Sequence, residues 1–349
     1  MKRILYIDYL KTLAIFGVIA IHLSSKYITH YTLNSSLWFS GLFVESMFRF
    51  SIILFVMASG ILLIKKNQTI DDIPRRLKRI GIPFIGWFLI YFIIKMSMKY
   101  SLTYIISNIF NLLIISILDP TILTVEFWFI YMLIGLYLAS PIICSWIRNA
   151  EIREIEYFLV IWLITIFIKM LPYNDNIIIY MNMFFGYVGY FILGYYLINK
   201  DSELLKSRKF GAVLYIIGTL MTFMGVIAAS NFIGELELTF MPLGDLTINA
   251  CLQAVGMFLI IKNTDFSIIW GKYSDKINRK ITLISNLTLG IYLTNVLLIN
   301  ALDKIGIYDI SISPFINIPI LTVIVVFMLM IILLIMYRIP YVNKLTGIA

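Results

Sequence analysis

Apolar runs of about 17 to 25 residues, the length a helix needs to cross a bilayer's hydrocarbon core, recur from one end of this chain to the other. Nothing between them is long enough for a separate water-soluble domain. With no water in the bilayer core, each spanning segment must satisfy its own backbone polar groups, so helices are expected. Composition agrees: 61% of residues are hydrophobic and 13% charged, which excludes an ordinary soluble domain. The expected fold is an all-α, polytopic membrane protein, one membrane-embedded domain over residues 1–349.

Ten spans fit the pattern: Tyr9 to Ser24, Gly41 to Ile64, Ile80 to Met98, Phe127 to Trp146, Tyr157 to Leu171, Ile177 to Ile198, Phe210 to Ser230, Leu246 to Ile261, Leu283 to Leu302 and Phe315 to Tyr337. An eleventh run, Leu102 to Leu118, carries Asn108 and Asn111 and ends at Asp119 and Pro120. Lys and Arg arbitrate, because cytoplasmic loops collect them. With ten spans and both termini cytoplasmic, twenty-one Lys and Arg fall in inner segments, against Lys26, Lys99 and Lys304 outside. Counting Leu102 to Leu118 as a span would turn the later basic loops outward, so it is placed as an interfacial or re-entrant helix on the outer side.

The same topology accounts for the net charge of +9 without a nucleic-acid partner; the partner is the lipid bilayer. Lys2 and Arg3 precede apolar sequence as in a signal peptide. Asp8 and Lys11 interrupt it and no small-residue cleavage site follows, so an uncleaved first span is expected. Cys144 and Cys251 lie in apolar runs with no Cys/His spacing, which points to neither a disulfide framework nor a metal site. No internal repeat is visible, which weighs against an inverted-repeat transporter.

Polar residues inside the spans carry the functional signal. Lys11 and His22 are eleven residues apart, which returns the helix to within about 20° and separates them by about 16.5 Å of rise. Asp8 sits one turn from Lys11 on the same side. Charged groups at depth nearly always face a bundle interior or a water-filled cavity, so this stripe is a site hypothesis. The plainer readings are a snorkelling Lys11 with Asp8 as its helix partner, and a hydrogen-bonded packing histidine at His22. In the second span, Glu45 and Arg49 form an i, i+4 pair, either lining the site or neutralising each other. The loop "KKNQTIDDIPRRLKRIGIPF" places Arg76 and Arg79 one turn apart beside Arg75, a spacing suited to phosphate oxygens. Lipid headgroups are the alternative occupant.

The blocks "IDYLKTLAIFGVIAIH", "SIILFVMASGILL", "RRLKRIGIPF", "EFWFIYMLIGLYLASP" and "LTLGIYLTNVLL" resemble, in order and spacing, the membrane acyltransferase-3 family. The likeness covers essentially the whole chain and is greatest to the bacterial branch of surface-polysaccharide O-acetyltransferases, that of enterobacterial common antigen among them. The resemblance implies a multi-pass enzyme of the bacterial inner membrane that moves an acetyl group from cytoplasmic acetyl-CoA to a hydroxyl of a cell-surface glycan. It further implies a catalytic His at His22. The family's usual Arg eleven positions earlier is Lys11 here, which keeps the charge and loses the bidentate fork. Its Arg-x-x-Arg corresponds to Arg76 and Arg79. A frequent His after the "IYL" block is replaced by Asn295, which is neither acid nor base.

The resulting expectation assigns His22, Lys11 and Asp8 to catalysis and Arg75, Arg76 and Arg79 to the acetyl-CoA co-substrate, with no metal. Glu45, Arg49, Glu126, Trp128, Tyr292 and Asn295 are assigned to the acceptor. A transporter or flippase for a glycan intermediate, with the polar stripe lining its path, is the rival reading.

Overall fold

The computed structural model describes residues 3–65, 69–171, 186–232, 241–306 and 313–348, and its regular structure there is helical. In chain order the helices are α1 (Leu5–His30), α2 (Ser36–Met47), α3 (Ser51–Ile64), α4 (Ile73–Lys99), α5 (Leu102–Leu118), α6 (Phe127–Asn149), α7 (Ile152–Lys169), α8 (Val188–Asn199), α9 (Arg208–Phe232), α10 (Ile248–Lys262), α11 (Phe266–Trp270), α12 (Ser274–Asp303) and α13 (Pro314–Tyr337).

Among the described residues, seven stretches are long and apolar enough to cross a membrane: Leu5–His30, Ser36–Ile64, Ile70–Lys99, Phe127–Asn149, Arg208–Asn231, Phe266–Asp303 and Pro314–Tyr337. They coincide with seven of the ten predicted spans. The other three fall on helices that are shorter or more polar. Tyr157 to Leu171 lies on α7, whose 18 residues include Arg153, Glu154, Glu156 and Lys169. Leu246 to Ile261 lies on α10, 15 residues long, which gives about 22 Å of rise. Ile177 to Ile198 falls partly on residues 172–185, outside the described residues, and otherwise on the 12-residue α8. The eleventh apolar run forms α5, capped by Ser101 and with Ser116 as its one buried residue.

The chain divides into two compact units. The first comprises residues 1–68, 142–285 and 310–324, and the second residues 69–141, 286–309 and 325–349. Helices α6, α12 and α13 contribute residues to both.

In the first unit the second predicted span is not continuous. It breaks between α2 and α3 at Phe48–Phe50, and a break at membrane depth frees carbonyls that need new partners. They have them. Gln253 Nε2 donates to the Ser46 carbonyl at 2.8 Å, Tyr215 Oη to that of Met47 at 3.0 Å, and the Ser51 N–H to that of Phe48 at 3.0 Å. Small residues then let backbones approach closely. A Cβ on Gly60 of α3 would collide with the Phe191 carbonyl of α8, and one on Gly194 of α8 with the Met57 carbonyl of α3.

In the second unit the apolar face of α4 forms an aromatic cluster. Phe84, Phe88 and Tyr91, at i, i+4 and i+7, surround Phe127 at 5.1, 6.2 and 5.1 Å between ring centroids. The C-terminal turn Val342–Thr346 is held on the same helix, where Trp87 Nε1 donates to the Leu345 carbonyl at 2.9 Å.

Candidate active site

Helix α1 carries the polar stripe within the first unit. Asp8 is buried, while Lys11 and His22 are half-buried. The Asp8 carboxylate accepts from Arg3 Nε at 2.6 Å and Nη2 at 2.9 Å, a bidentate pair, and from Ser285 Oγ at 2.6 Å. Lying outside the helix, the Arg3 guanidinium is raised above its ordinary pKa by this hydrogen bond. Lys11 Nζ donates to the Ser285 carbonyl at 2.9 Å. Asp8 and Lys11 therefore converge on Ser285 of α12. Arg3 gives Asp8 a bidentate partner that the sequence reading did not assign.

His22 lies three turns beyond Lys11 on the same face of α1. Two residues later, Ser24 Oγ stands 3.5 Å from Glu45 Oε2, linking α1 to a buried charge cluster. Arg49 Nη1 donates to Glu45 Oε1 at 3.0 Å and Nη2 to Asp245 Oδ1 at 3.4 Å. The Tyr187 hydroxyl donates to Asp245 Oδ2 at 3.3 Å, and that of Tyr190 to the Asp245 carbonyl at 2.7 Å. Side-chain exposure is 6% for Glu45, 13% for Arg49 and 11% for Asp245, so one guanidinium serves two carboxylates almost out of water. The i, i+4 pair read from the sequence is thus two-thirds of a triad. Asp245 and Tyr187 were not legible beforehand: Asp245 precedes a predicted span, where an acid reads as loop.

In the second unit, Arg75, Arg76 and Arg79 occupy the opening turns of α4, after a Thr69–Asp72 capping box. Arg75 is paired with Asp72 at 2.9 Å and its side chain is 80% exposed. Arg76 is half-buried and Arg79 exposed, and neither makes an ion pair with a described residue. Twelve residues, about 18 Å of rise, separate Arg79 from Tyr91 farther along α4.

Around Tyr91 lies a second polar group. The Thr124 hydroxyl donates to the buried Glu126 carboxylate, and Tyr91 adjoins both residues. Tyr292 Oη donates to the Glu126 carbonyl at 2.9 Å. Half-buried Trp128 meets Phe129 edge-on at 6.1 Å between centroids, and Phe129 lies 4.9 Å from Tyr292. Asn295 donates to the Tyr292 carbonyl at 2.6 Å, while its Oδ1 is buried with no hydrogen-bond partner among the described residues. The predicted acceptor residues thus fall into two groups, Glu45 with Arg49 in the first unit and Glu126, Trp128, Tyr292 and Asn295 in the second. Tyr91 and Thr124 join the latter without a sequence signal, since Tyr91 reads as one more aromatic inside an apolar span and Thr124 as part of the segment before Phe127.

A titratable imidazole, a fixed cation on its helix face and buried carboxylates suit proton transfer to or from a hydroxyl. The model of the acyltransferase-3 family, described as an acyltransferase domain, matches residues 4–338. No curated protein and no solved structure matches the chain. With nearly its whole length covered by that model and, among the described residues, seven stretches long and apolar enough to cross a bilayer, the chain belongs to the acyltransferase-3 family and is a multi-pass membrane acyltransferase.

Proposed function

We propose that the protein is an O-acetyltransferase that moves an acetyl group from cytoplasmic acetyl-CoA to a hydroxyl of a bacterial cell-surface or capsular polysaccharide, or of its lipid-linked precursor. The observation that carries this reading is the half-buried His22 on α1, in line with Lys11, in a chain matched by the family model over residues 4–338. Arg76 and Arg79 take the donor's phosphates; Arg75, already paired with Asp72, contributes less. Two guanidiniums one turn apart at a helix start combine charge with fork geometry.

In the transfer step, neutral His22 removes the proton of the acceptor hydroxyl as its oxygen attacks the thioester carbonyl. The C–S bond breaks, the ester C–O bond forms, and the proton on His22 passes to the departing CoA thiolate. An imidazole suits both halves because its ordinary pKa lies near neutrality. Lys11 acts as a point charge on the same face, held by the Ser285 carbonyl. Asp8 is a positioning residue, joining Arg3 and Ser285. Glu45, Arg49, Glu126, Trp128, Tyr292 and Asn295 bind the acceptor, with aromatic faces for sugar rings and buried polar groups that reward a matching hydroxyl.

Analysis of the surface polysaccharide from a deletion strain and its parent by NMR and mass spectrometry tests this reading. Loss of an ester, restored by the wild-type gene, is expected. Identical ester content, or a change only in polymer export as for a transporter, would reject it.

A further inference from the structure

Helices α10 and α12 are joined through α11, which three residues, Asn263–Asp265, connect to α10. Asp265 caps α11, its Oδ1 accepting from the Ser267 N–H at 2.9 Å. One side of α11 is fixed to Tyr9 of α1. The Phe266 ring stacks on Tyr9 at 3.6 Å between centroids and 8° between planes, and Trp270 Nε1 donates to the Tyr9 hydroxyl at 2.9 Å. That hydroxyl donates in turn to Asn278 Oδ1 at 2.8 Å, tying in the first turns of α12. Gly271, at φ 47° and ψ −128°, makes the turn between the two helices, a conformation natural to glycine.

The other side of this clamped segment is uncovered and apolar. Ile268 is 79% exposed, Ile269 54% and Tyr273 57%. Beside it stand the exposed cations Lys272, Lys276, Arg279 and Lys280, against only Asp265 and Asp275 of opposite sign in residues 263–282. Rigid placement distinguishes the segment from a solvated loop, because Tyr9 holds both α11 and α12 so that the isoleucines stay out.

Helix length sets its depth. The 30 residues of α12 rise about 45 Å, against about 30 Å of hydrocarbon, so roughly ten residues stand outside the bilayer core. Before Asp303, every charged residue of α12 lies in its first seven positions. The hydrocarbon boundary therefore falls close to Ile281, and α11 is held at the level of the headgroups. A basic face with adjoining Ile, Trp and Tyr at that depth has the chemistry of an interfacial lipid-binding element.

We propose that Phe266–Lys280 is a binding site for anionic phospholipid. Ile268, Ile269 and Tyr273 enter the acyl boundary, and Lys272, Lys276, Arg279 and Lys280 receive the lipid phosphates. The site is independent of the acyl-transfer reading, since it rests on exposure, clamping and depth alone.

The test is depth measurement by spin labelling of the full chain in nanodiscs. Both native cysteines, Cys144 and Cys251, are buried, so the label reports on Ile268→Cys or Ile269→Cys. Glu203→Cys, at a side chain 91% exposed, is the aqueous control. In phosphatidylglycerol nanodiscs, the ratio of oxygen to water-soluble nickel-chelate accessibility should be several-fold higher at 268 and 269 than at 203. Lys272→Gln, Lys276→Gln, Arg279→Gln and Lys280→Gln combined should lower that ratio toward the control, and native mass spectrometry should show fewer retained phosphatidylglycerol molecules. A ratio at 268 equal to that at 203 overturns the site. An elevated ratio that neither the four substitutions nor a change to phosphatidylcholine alters overturns its selectivity for anionic lipid.

Discussion

Replacing Arg49 by Met removes the one cation shared by two nearly buried carboxylates, Glu45 and Asp245. Truncating one member of a buried ion pair destabilises by about 3–5 kcal/mol, because the partner is left charged and unpaired in a low dielectric. Here two partners are left, so the upper part of that range is expected. At an unfolding entropy of about 2.1 cal/mol/K per residue, a chain of 349 residues shifts by about 1.4 °C per kcal/mol, so Arg49→Met should lower Tm by roughly 5 to 7 °C. The assay is thermal unfolding in nanodiscs, followed by far-UV circular dichroism and by retention of a monodisperse peak. The combined variant Glu45→Gln, Arg49→Met, Asp245→Asn supplies the control. It removes all three charges, and the Ser24 and Tyr187 hydroxyls remain as hydrogen-bond partners for the new amides. Recovery to within about 2 kcal/mol of the wild type is expected, since an ion cluster replaced as a whole is often nearly neutral. If Arg49→Met melts with the wild type, or the triple variant is no better than the single one, the triad does not carry the electrostatic weight given to it.

Gly60→Leu and Gly194→Leu should each disrupt the α3–α8 crossing, since a side chain at either position meets a carbonyl of the opposite helix. A loss of at least about 1–3 kcal/mol, or of monodisperse protein altogether, is expected. Arg76→Glu with Arg79→Glu should raise the apparent KM for acetyl-CoA about a hundredfold or more with a smaller effect on kcat, each lost charge-assisted contact weighing about 1.5 kcal/mol or more; an unchanged KM removes both from the donor site. Arg75→Ala should change stability by less than about 1 kcal/mol, because its pair with Asp72 is solvent-exposed.

The helical, polytopic class was legible because lipid leaves few structural options, and run length alone identified seven stretches that are, among the described residues, helical and long and apolar enough to cross a membrane. The break at Phe48–Phe50 was not legible. No Gly or Pro marks it, and what holds it open is Gln253 and Tyr215, some 200 and 170 residues away in the chain. The same limit governs the site. The stripe of Asp8, Lys11 and His22 follows from helical period, and Glu45 with Arg49 from i, i+4 spacing. The partners that fix those groups, Arg3 apart, come from distant parts of the chain: Ser285 on α12 for Asp8 and Lys11, and Asp245 in the turn before α10 for Arg49. Asn295 could be read as a residue without acid–base capacity, but its buried, unpartnered carbonyl oxygen depends on packing around α12.

The central claim is most directly tested by acetyl transfer from acetyl-CoA to surface glycan by purified wild-type and His22→Ala protein in nanodiscs, with thermal unfolding as the check on folding. The account predicts a folded variant whose transfer is lower by about 10²–10⁴-fold, the usual contribution of a general base. A folded His22→Ala protein that transfers acetyl at the wild-type rate would contradict it.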